Sequence, residues 1–266
     1  MTAVLCDIGK AHQRIIREKF SIVDDGGLFG IPRCNIKDSV LREVSFGEAK
    51  RIILKYEWLG TMGTTQYHYG IFYKTECAGV VCFGYFQAMN TNSGGHPYAP
   101  YIGEQYAKNG IQLTRGACVH WAHQHSGSKL IAYGLKQVSK LGYKYAVAFS
   151  DPDAGEIGTL YQATNWYYVG ATKDKHWDVY YRNGKLFMND RDFFKKFGFR
   201  GRGKIKEFIK QKPDLEIRLR KPKSRYIKLI GSKKENRIMY NILKPKILPY
   251  PKRNIDENIV MQSKGA

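Results

Sequence analysis

LTRGACVHWAHQHSGSKLIAYGLKQVSK at residues 113–140 and AFSDPDAGEIGTLYQATNWYYVGAT at residues 148–172 are the stretches that decide the fold. The first continues a strand, IQLTRGACVH from Ile111, which leaves Arg115 in mid-strand between Leu113 and Ala117. It passes through WAHQHSGS into a helix over SKLIAYGLKQVSKLG, where Leu130, Ile131, Leu135 and Val138 share one helical face. After Gly142, YKYAVAFS has the apolar centre of a buried strand and delivers SDPDAGEIG into a loop. TLYQATNW reads as a short helix and YYVGAT as the strand that follows it. Strand, glycine-bearing loop, helix, strand, loop, short helix, strand is an α/β order.

Upstream, SFGEAKRIILKYEWLG places Ala49, Ile52, Ile53 and Tyr56 at helical spacing. Ser45 and Glu48 form a capping-box signature at its start, and Gly60 can end it. YHYGIFY and AGVVCFGYF read as a hairpin turning at Lys74–Glu76, and residues 89–110 have loop composition. Downstream, DVYYRNGKLF predicts a second hairpin with its turn at Asn183–Gly184. RGKIKEFIKQK predicts a helix and RYIKLI a strand, and the chain from Pro245 reads as an unanchored tail. The expected fold is therefore α/β, a mixed central sheet flanked by helices with a basic C-terminal extension. The expected organisation is an irregular lead-in at 1–40, a catalytic domain at 41–190, and a basic nucleic-acid-binding extension and tail at 191–266.

At 266 residues, with 43% hydrophobic and 14% aromatic residues, the chain can bury a core. No apolar run reaches the roughly 18 residues a membrane span needs. The first twenty residues lack the apolar run and cleavage site of a signal peptide, so a soluble, cytoplasmic protein with no membrane partner is expected. Cys6, Cys34, Cys77, Cys82 and Cys118 are scattered without a CxxC pair, which argues against a disulfide framework or a structural zinc site.

Charge is distributed steeply. Of the formal net charge of +21, the stretch from Lys195 to the end carries +16, with 22 basic residues against 6 acidic ones. Such a gradient implies a polyanionic partner, and nucleic acid suits it best. Phe193, Phe194, Phe197, Phe199, Phe208, Tyr226 and Tyr240 are interleaved with these cations, a composition suited to holding phosphates and stacking on bases. Lys195, Lys196, Arg200, Arg202, Lys204, Lys206 and Arg225 are the candidate phosphate contacts.

Four features together resemble the Mom family of phage DNA-modification proteins, related in fold to the GCN5-like N-acetyltransferases. They are the strand arginine, the serine-bearing turn opening a helix, the S-D-P strand exit at 150–152 and the G-T-x-Y-Q-A-T-N-W block at 158–166. The KYEWLG helix end and the VVCFG strand extend the resemblance over roughly residues 45–230. The resemblance implies an N-acetyltransferase-like fold and a transferase that modifies adenine in double-stranded DNA, shielding phage DNA from restriction in the cytoplasm of an infected bacterium. It implies roles for Arg115, Ser128, Asp151 and Tyr161, and a small-molecule group donor.

Each residue also has its own chemistry. Arg115 in a strand needs a partner, either a carboxylate such as Asp151 or a ligand anion. Asp151 lies at the carboxyl end of a strand, where open α/β sheets bind ligands, and suits a general base. Tyr161 suits a general acid. The run Gln124–Lys129, with Gly127 and Ser128 at the helix start, resembles the acetyltransferase loop that holds the pyrophosphate of coenzyme A. Lys129 stands where that loop has a small residue, and its amine can itself meet a phosphate. The amides of Gln162 and Asn165 suit a base edge. At the end of the first helix, Glu57–Trp58 replaces a histidine–tyrosine pair linked to iron in the resembled family. Glutamate can act as base and tryptophan can stack on an extruded base. His120, His123 and His125 alternate, but alternation alone does not converge metal ligands, so no metal site is assigned.

The expected function is transfer of an acyl-like group to a nucleobase amine, with acyl-coenzyme A as the candidate donor. Acyl transfer to tRNA, to an amine-bearing hypermodified pyrimidine or to protein, and non-catalytic DNA binding, are the alternatives.

Overall fold

Why the first helix begins where it does is visible in its cap. Ser45 Oγ accepts from the Glu48 amide at 3.2 Å, and Glu48 Oε2 accepts from the Ser45 amide at 2.9 Å. The computed structural model describes residues 5–6, 15, 34–86, 95–172, 177–183, 186–188, 190–199 and 201–253. From residue 34 onward the strands that build its two main sheets are, in chain order, β1 (Ser39–Glu43), β2 (Tyr67–Tyr73), β3 (Glu76–Gly84), β4 (Gly110–Cys118), β5 (Tyr145–Ser150), β6 (Tyr167–Ala171), β7 (Trp177–Tyr181), β8 (Leu186–Met188), β9 (Leu215–Leu219) and β10 (Ser224–Leu229). The helices are α1 (Phe46–Tyr56), α2 (Ala99–Ile102), α3 (Glu104–Ala107), α4 (Ser126–Lys140), α5 (Thr159–Ala163), α6 (Asp190–Phe197), α7 (Arg202–Ile209) and α8 (Lys233–Leu243).

One seven-stranded sheet, ordered β1–β2–β3–β4–β5–β10–β6, organises the larger of two compact units, residues 1–170 with 224–266. In this sheet β4 and β5 pair in parallel, whereas β1–β2, β2–β3, β3–β4 and β5–β10 pair antiparallel. The sheet is covered on both faces because its central strand is apolar on both. Ala146 and Ala148 enter the core shared with α1 and α4. Tyr145 and Val147 enter a second core with α2, α3 and α8. Helix α4 lies so close to the sheet that a Cβ at Gly134 would stand 2.7 Å from the Phe83 ring. The mixed, helix-flanked α/β sheet expected from the sequence is what the chain forms.

Three expectations need correction. Residues 99–107, read as loop, hold α2 and α3. The stretch after Pro245 is anchored up to the last described residues: the Leu248 amide donates to Tyr168 O at 2.9 Å and Tyr250 Oη donates to Trp166 O at 2.8 Å. Nor is the C-terminal region one extension from 191. Its strand β10 is inserted between β5 and β6 of the central sheet, because Tyr226 and Ile227 are fully buried there.

The smaller unit is residues 171–223. It contains the antiparallel sheet β9–β7–β8 with α6 and α7, around Val179, Phe193, Ile205 and Leu215. The hairpin expected around Asn183–Gly184 is present, with Gly184 itself outside the described residues. The aromatics here are divided: Phe193 is buried and Phe199 and Phe208 pack on it, whereas Phe194 and Phe197 remain exposed.

Candidate active site in a strand wedge

Two parallel strands that separate open a wedge in the larger unit. β4 and β5 keep register only from Gly110↔Tyr145 to Gln112↔Val147, yet β4 runs on to Cys118 and β5 to Ser150. Beyond Gln112 their facing edges part at the carboxyl end of both strands, where open α/β sheets seat ligands. On the other side of β4 the pairing to β3 skips Thr114, since Phe83 opposes Leu113 and Cys82 opposes Arg115. A bulge of this kind re-aims the side chain beside it.

That side chain is Arg115. Its Nε donates to Thr61 O at 2.5 Å, Nη2 to Thr61 Oγ1 at 3.2 Å and Nη1 to Thr114 O at 2.6 Å. Its ion-pair partner is Glu57, with Nε 4.0 Å from Oε2, rather than the expected Asp151. The reason is the chain path: Glu57 ends α1 and the following turn brings Thr61 and Gly63 under the guanidinium. Gly63 has φ +61°, and a Cβ there would meet Nη2 at 3.0 Å. Glu57 Oε2 also accepts from the Leu59 amide at 2.8 Å, which closes the turn. The sequence reading does not single out Thr61 and Gly63. Gly60, which closes KYEWLG, and Gly63 are the available signal, since both take positive φ.

Tyr161 belongs to the same electrostatic neighbourhood. Its ring packs 5.2 Å from Trp166 and 5.3 Å from Tyr226. Burial pushes its hydroxyl pKa far up, and the carboxylates of Glu156 and Glu57 push it further, so at neutral pH it holds its proton. Cys82, across the ladder from Arg115, is pushed up to about 12 by burial and stays a thiol. Asp151 is buried at the exit of β5. Its Oδ1 accepts from the Asp153 amide at 3.1 Å and its backbone carbonyl accepts from Ala154 and Glu156, an arrangement that holds the carboxylate in one place.

Helix α4 begins beside this opening. Ser128 is not its cap: its Oγ donates to His125 O at 3.0 Å from within the first turn. Buried Ser126 is bonded to Tyr73 Oη at 2.9 Å. The amides of Gly127 and Ser128 have no acceptor among the described residues, as expected of a helix's first turn. A Cβ at Gly127 would come 3.2 Å from Leu160 and 3.8 Å from Cys118 Sγ, so this first turn sits against the end of β4 and α5. Gln124 is exposed beside them. Lys129 points elsewhere, donating to Ile36 O at 2.8 Å and Ser39 Oγ at 2.7 Å, which corrects its expected role as a phosphate contact.

The remaining predicted residues fall in different places. The donor end of Gln162 is spent on structure: its Nε2 donates to Ile157 O at 2.9 Å and Pro251 O at 3.2 Å. Asn165 is exposed at φ +58°, its side chain uncommitted among the described residues. Trp58 is half-buried next to Glu57. Arg225 is wrapped by aromatic rings, with Nη1 donating to Tyr101 Oη at 2.9 Å and its guanidinium 5.5 Å from the Tyr101 centroid, so it is a half-buried anchor rather than an open phosphate contact. Lys195, Lys196, Arg202, Lys204 and Lys206 are exposed on the smaller unit, and Arg200 lies outside the described residues.

The alternating histidines do not converge. His120 is buried against Tyr56, whose Oη lies 3.4 Å from its Nδ1, while His123 Nδ1 accepts from the His125 amide. Among the described residues no three His, Cys, Asp or Glu side chains could hold a metal ion together. Glu57, bonded to Leu59 and paired with Arg115, does not make an iron site with Trp58, whose indole offers no lone pair to a metal.

The pattern of the Mom protein family matches residues 38–252. The methylcarbamoylase mom of Escherichia phage Mu is 24% identical over 254 residues, covering 92% of this chain and 96% of that protein. Among solved structures, an N-acetyltransferase from Staphylococcus aureus Mu50 aligns with TM-score 0.40 at 11% identity, covering 72% of this chain and 98% of that chain. An IAA acetyltransferase from Bacillus cereus ATCC 14579 aligns with TM-score 0.37 at 10% identity, covering 72% and 99%. Among the described residues no helix is long and apolar enough to cross a membrane.

Proposed function

The chain belongs to the Mom protein family, and on that premise we propose that it is a transferase placing an acyl-like group on a nucleobase amino nitrogen in double-stranded DNA. The observation that carries this reading is the clustering of Glu57, Arg115 and Tyr161 near the carboxyl ends of β4 and β5, where Asp151 and the open Gly127–Ser128 amides also lie. In this reading the amino nitrogen adds to the carbonyl carbon of the donor. Asp151 takes the proton that nitrogen gives up, and Tyr161, held protonated by its burial, supplies one to the departing group. Arg115, fixed by Thr61 and Glu57, stabilises negative charge on the carbonyl oxygen during addition.

A donor carrying phosphates, such as an acyl-coenzyme A, suits the two first-turn amides, since such amides and the helix dipole favour an anion. The name of the phage Mu relative makes a methylcarbamoyl group the first transferred group to look for, and the family resemblance makes adenine the first acceptor to test. Such a mark on DNA would protect it from restriction in the infected cell. The indole of Trp58 suits stacking on an extruded base, and the exposed Lys195, Lys196, Arg202, Lys204 and Lys206 suit the phosphates of the duplex.

Mass spectrometry of nucleosides from plasmid DNA, after co-expression with this protein, tests the reading. The expected result is a heavier deoxyadenosine whose added mass identifies the group. Normal deoxynucleosides together with a modified tRNA nucleoside from the same cells would move the acceptor to RNA. Unmodified DNA and tRNA would overturn the proposal.

A further inference from the structure

A second cleft, of about 390 Å³, opens at the opposite end of the central sheet from the wedge. Its floor is the end of β10 and the start of β6. Leu229 pairs with Tyr145 there, whereas Ser224 pairs with Ser150 at the wedge end, so five residue rises along the strand, roughly 17 Å, separate the two sites. The cleft lies wholly within the larger unit.

Its lining has two kinds of group. Lys233 and Arg237 stand one turn apart on the same face of α8, and among the described residues no carboxylate pairs with either. The nearest acid on that helix, Glu235, is occupied by Lys144 Nζ at 2.9 Å and the Ser232 amide at 2.7 Å. The third cation, Lys228, is half-buried and donates to Thr164 O and Asn165 O, so it shapes the wall and adds its charge without being free to move. The aromatic side is the pair Tyr167 and Tyr240, ring centroids 5.6 Å apart and inclined at 45°. Neither phenol has a hydrogen-bond partner among the described residues, nor does the Asn165 side-chain amide beside them.

Unpaired cations beside uncommitted aromatic rings and an amide, in a cavity of ligand size, match one chemistry: a phosphate joined to a flat heterocycle. We propose that this cleft binds a nucleotide, its phosphate on Lys233 and Arg237 and its base on Tyr240 and Tyr167, with Asn165 facing the base edge. The site is separate from the transfer chemistry and does not depend on it. Its nucleotide comes either from a single strand of nucleic acid or from a free nucleoside phosphate, which share these groups.

Photo-crosslinking of the full chain with two probes distinguishes them. One is 4-thiothymidine 5′-monophosphate; the other is a single-stranded oligonucleotide carrying one 4-thiothymidine, and crosslinked peptides are located by mass spectrometry. Crosslinks on the peptides bearing Tyr167 or Tyr240 support the site, and the probe that gives them identifies the source. The double variant Lys233→Glu, Arg237→Glu changes two side chains outside the cores; it is expected to weaken the crosslink about tenfold. Tyr240→Leu keeps apolar packing on Tyr167 and is expected to abolish the crosslink by removing the ring. Crosslinks confined to other peptides, or undiminished in the charge-reversed protein, would overturn the proposal. So would inorganic phosphate competing as strongly as thymidine monophosphate, since the base would then contribute nothing.

Discussion

Glu57 Oε2 stands 4.0 Å from Arg115 Nε, with both side chains largely covered, and the same carboxylate raises the pKa of Tyr161. One residue at the end of α1 therefore acts on two residues from β4 and α5. Glu57→Gln removes its charge and keeps its shape. Burial dominates the Tyr161 shift, so the expected change is a partial return of its hydroxyl towards the ordinary tyrosine value. Ultraviolet titration, with Tyr161→Phe as the reference, measures it. A Tyr161 titration that does not move would remove Glu57 from this field.

Arg115→Lys separates charge from geometry. Lysine keeps the positive charge but cannot reach Thr61 O, Thr61 Oγ1 and Thr114 O from one planar head. If Arg115 is held to face a developing negative charge, the variant loses on the order of a hundredfold in modification rate. A nearly unchanged rate with a lowered melting temperature would make Arg115 a structural anchor for the turn at Thr61.

Asp151→Asn tests the carboxylate alone. Asparagine can still accept from the Asp153 amide, so the 3-10 turn at Pro152–Ala154 keeps its cap. The expected outcome is a melting temperature within a few degrees of the parent and a modification rate down by roughly 10²–10⁴, the usual contribution of a general base. Retained activity in plasmid DNA would confine Asp151 to its capping role.

How much of this is legible in the sequence depends on how local each signal is. The capping box at Ser45, the helical faces of α1 and α4 and the strand exit at Ser150 each follow from a few consecutive residues, and each is present in the fold. Helix α8 escapes the sequence reading although Ser232 and Glu235 repeat the same box before Ile238, Met239, Ile242 and Leu243. The cationic composition there draws the reading towards a binding tail. The partner of Arg115 is not legible, because a bulge at Thr114 and two positive-φ glycines choose between Glu57 and Asp151 and neither choice is local. The mixture of cations and aromatics likewise hides a division that only packing decides: Phe193 and Tyr226 are core, whereas Phe194 is surface.

The exposed cations of residues 171–223 predict how DNA affinity depends on salt. Replacing Lys195, Lys196, Lys204 and Lys206 by glutamine removes charge from residues that build no core. Each phosphate that is no longer neutralised flattens the slope of log affinity against log salt by about 0.9. Fluorescence anisotropy with duplex DNA at several salt concentrations reads the slope. An unchanged slope would assign DNA binding to other residues.

Gly158 makes a steric prediction. It precedes α5 at φ +74°, and a Cβ there would lie 2.5 Å from the ring of Tyr226, which is fully buried. Gly158→Ala combines a disfavoured backbone conformation with a clash that no flexible side chain can relieve, at a cost of roughly 2–4 kcal/mol. The urea midpoint is expected to fall accordingly, and modification with it, because Tyr161 packs on the same ring. A midpoint within error of the parent would mean that Tyr226 can yield, contrary to its packing.

Buried phenols fix the direction of the response to alkali. Burial raises Tyr69 and Tyr226 to about 12, and Tyr145 and Tyr161 are raised as well. In the unfolded chain these groups ionise near 10. Above that pH the unfolded chain has released protons that the folded chain still holds, so the unfolded state binds fewer protons and stability falls as pH rises. Tyr69 and Tyr226 each contribute a loss of about 1.4 kcal/mol per pH unit until pH nears 12, and Tyr145 and Tyr161 add losses in the same direction. Urea midpoints are therefore expected to hold from about pH 8 to 9.5 and to drop steeply between about 10 and 11. Tyr226→Phe loses the hydrogen bond to Ile157 O, so it is less stable at neutral pH, yet its decline above about pH 10 is shallower. A parent whose midpoint stays level to about pH 11 would mean that these phenols ionise without resistance, which would also free Tyr161 to lose the proton its assigned role requires.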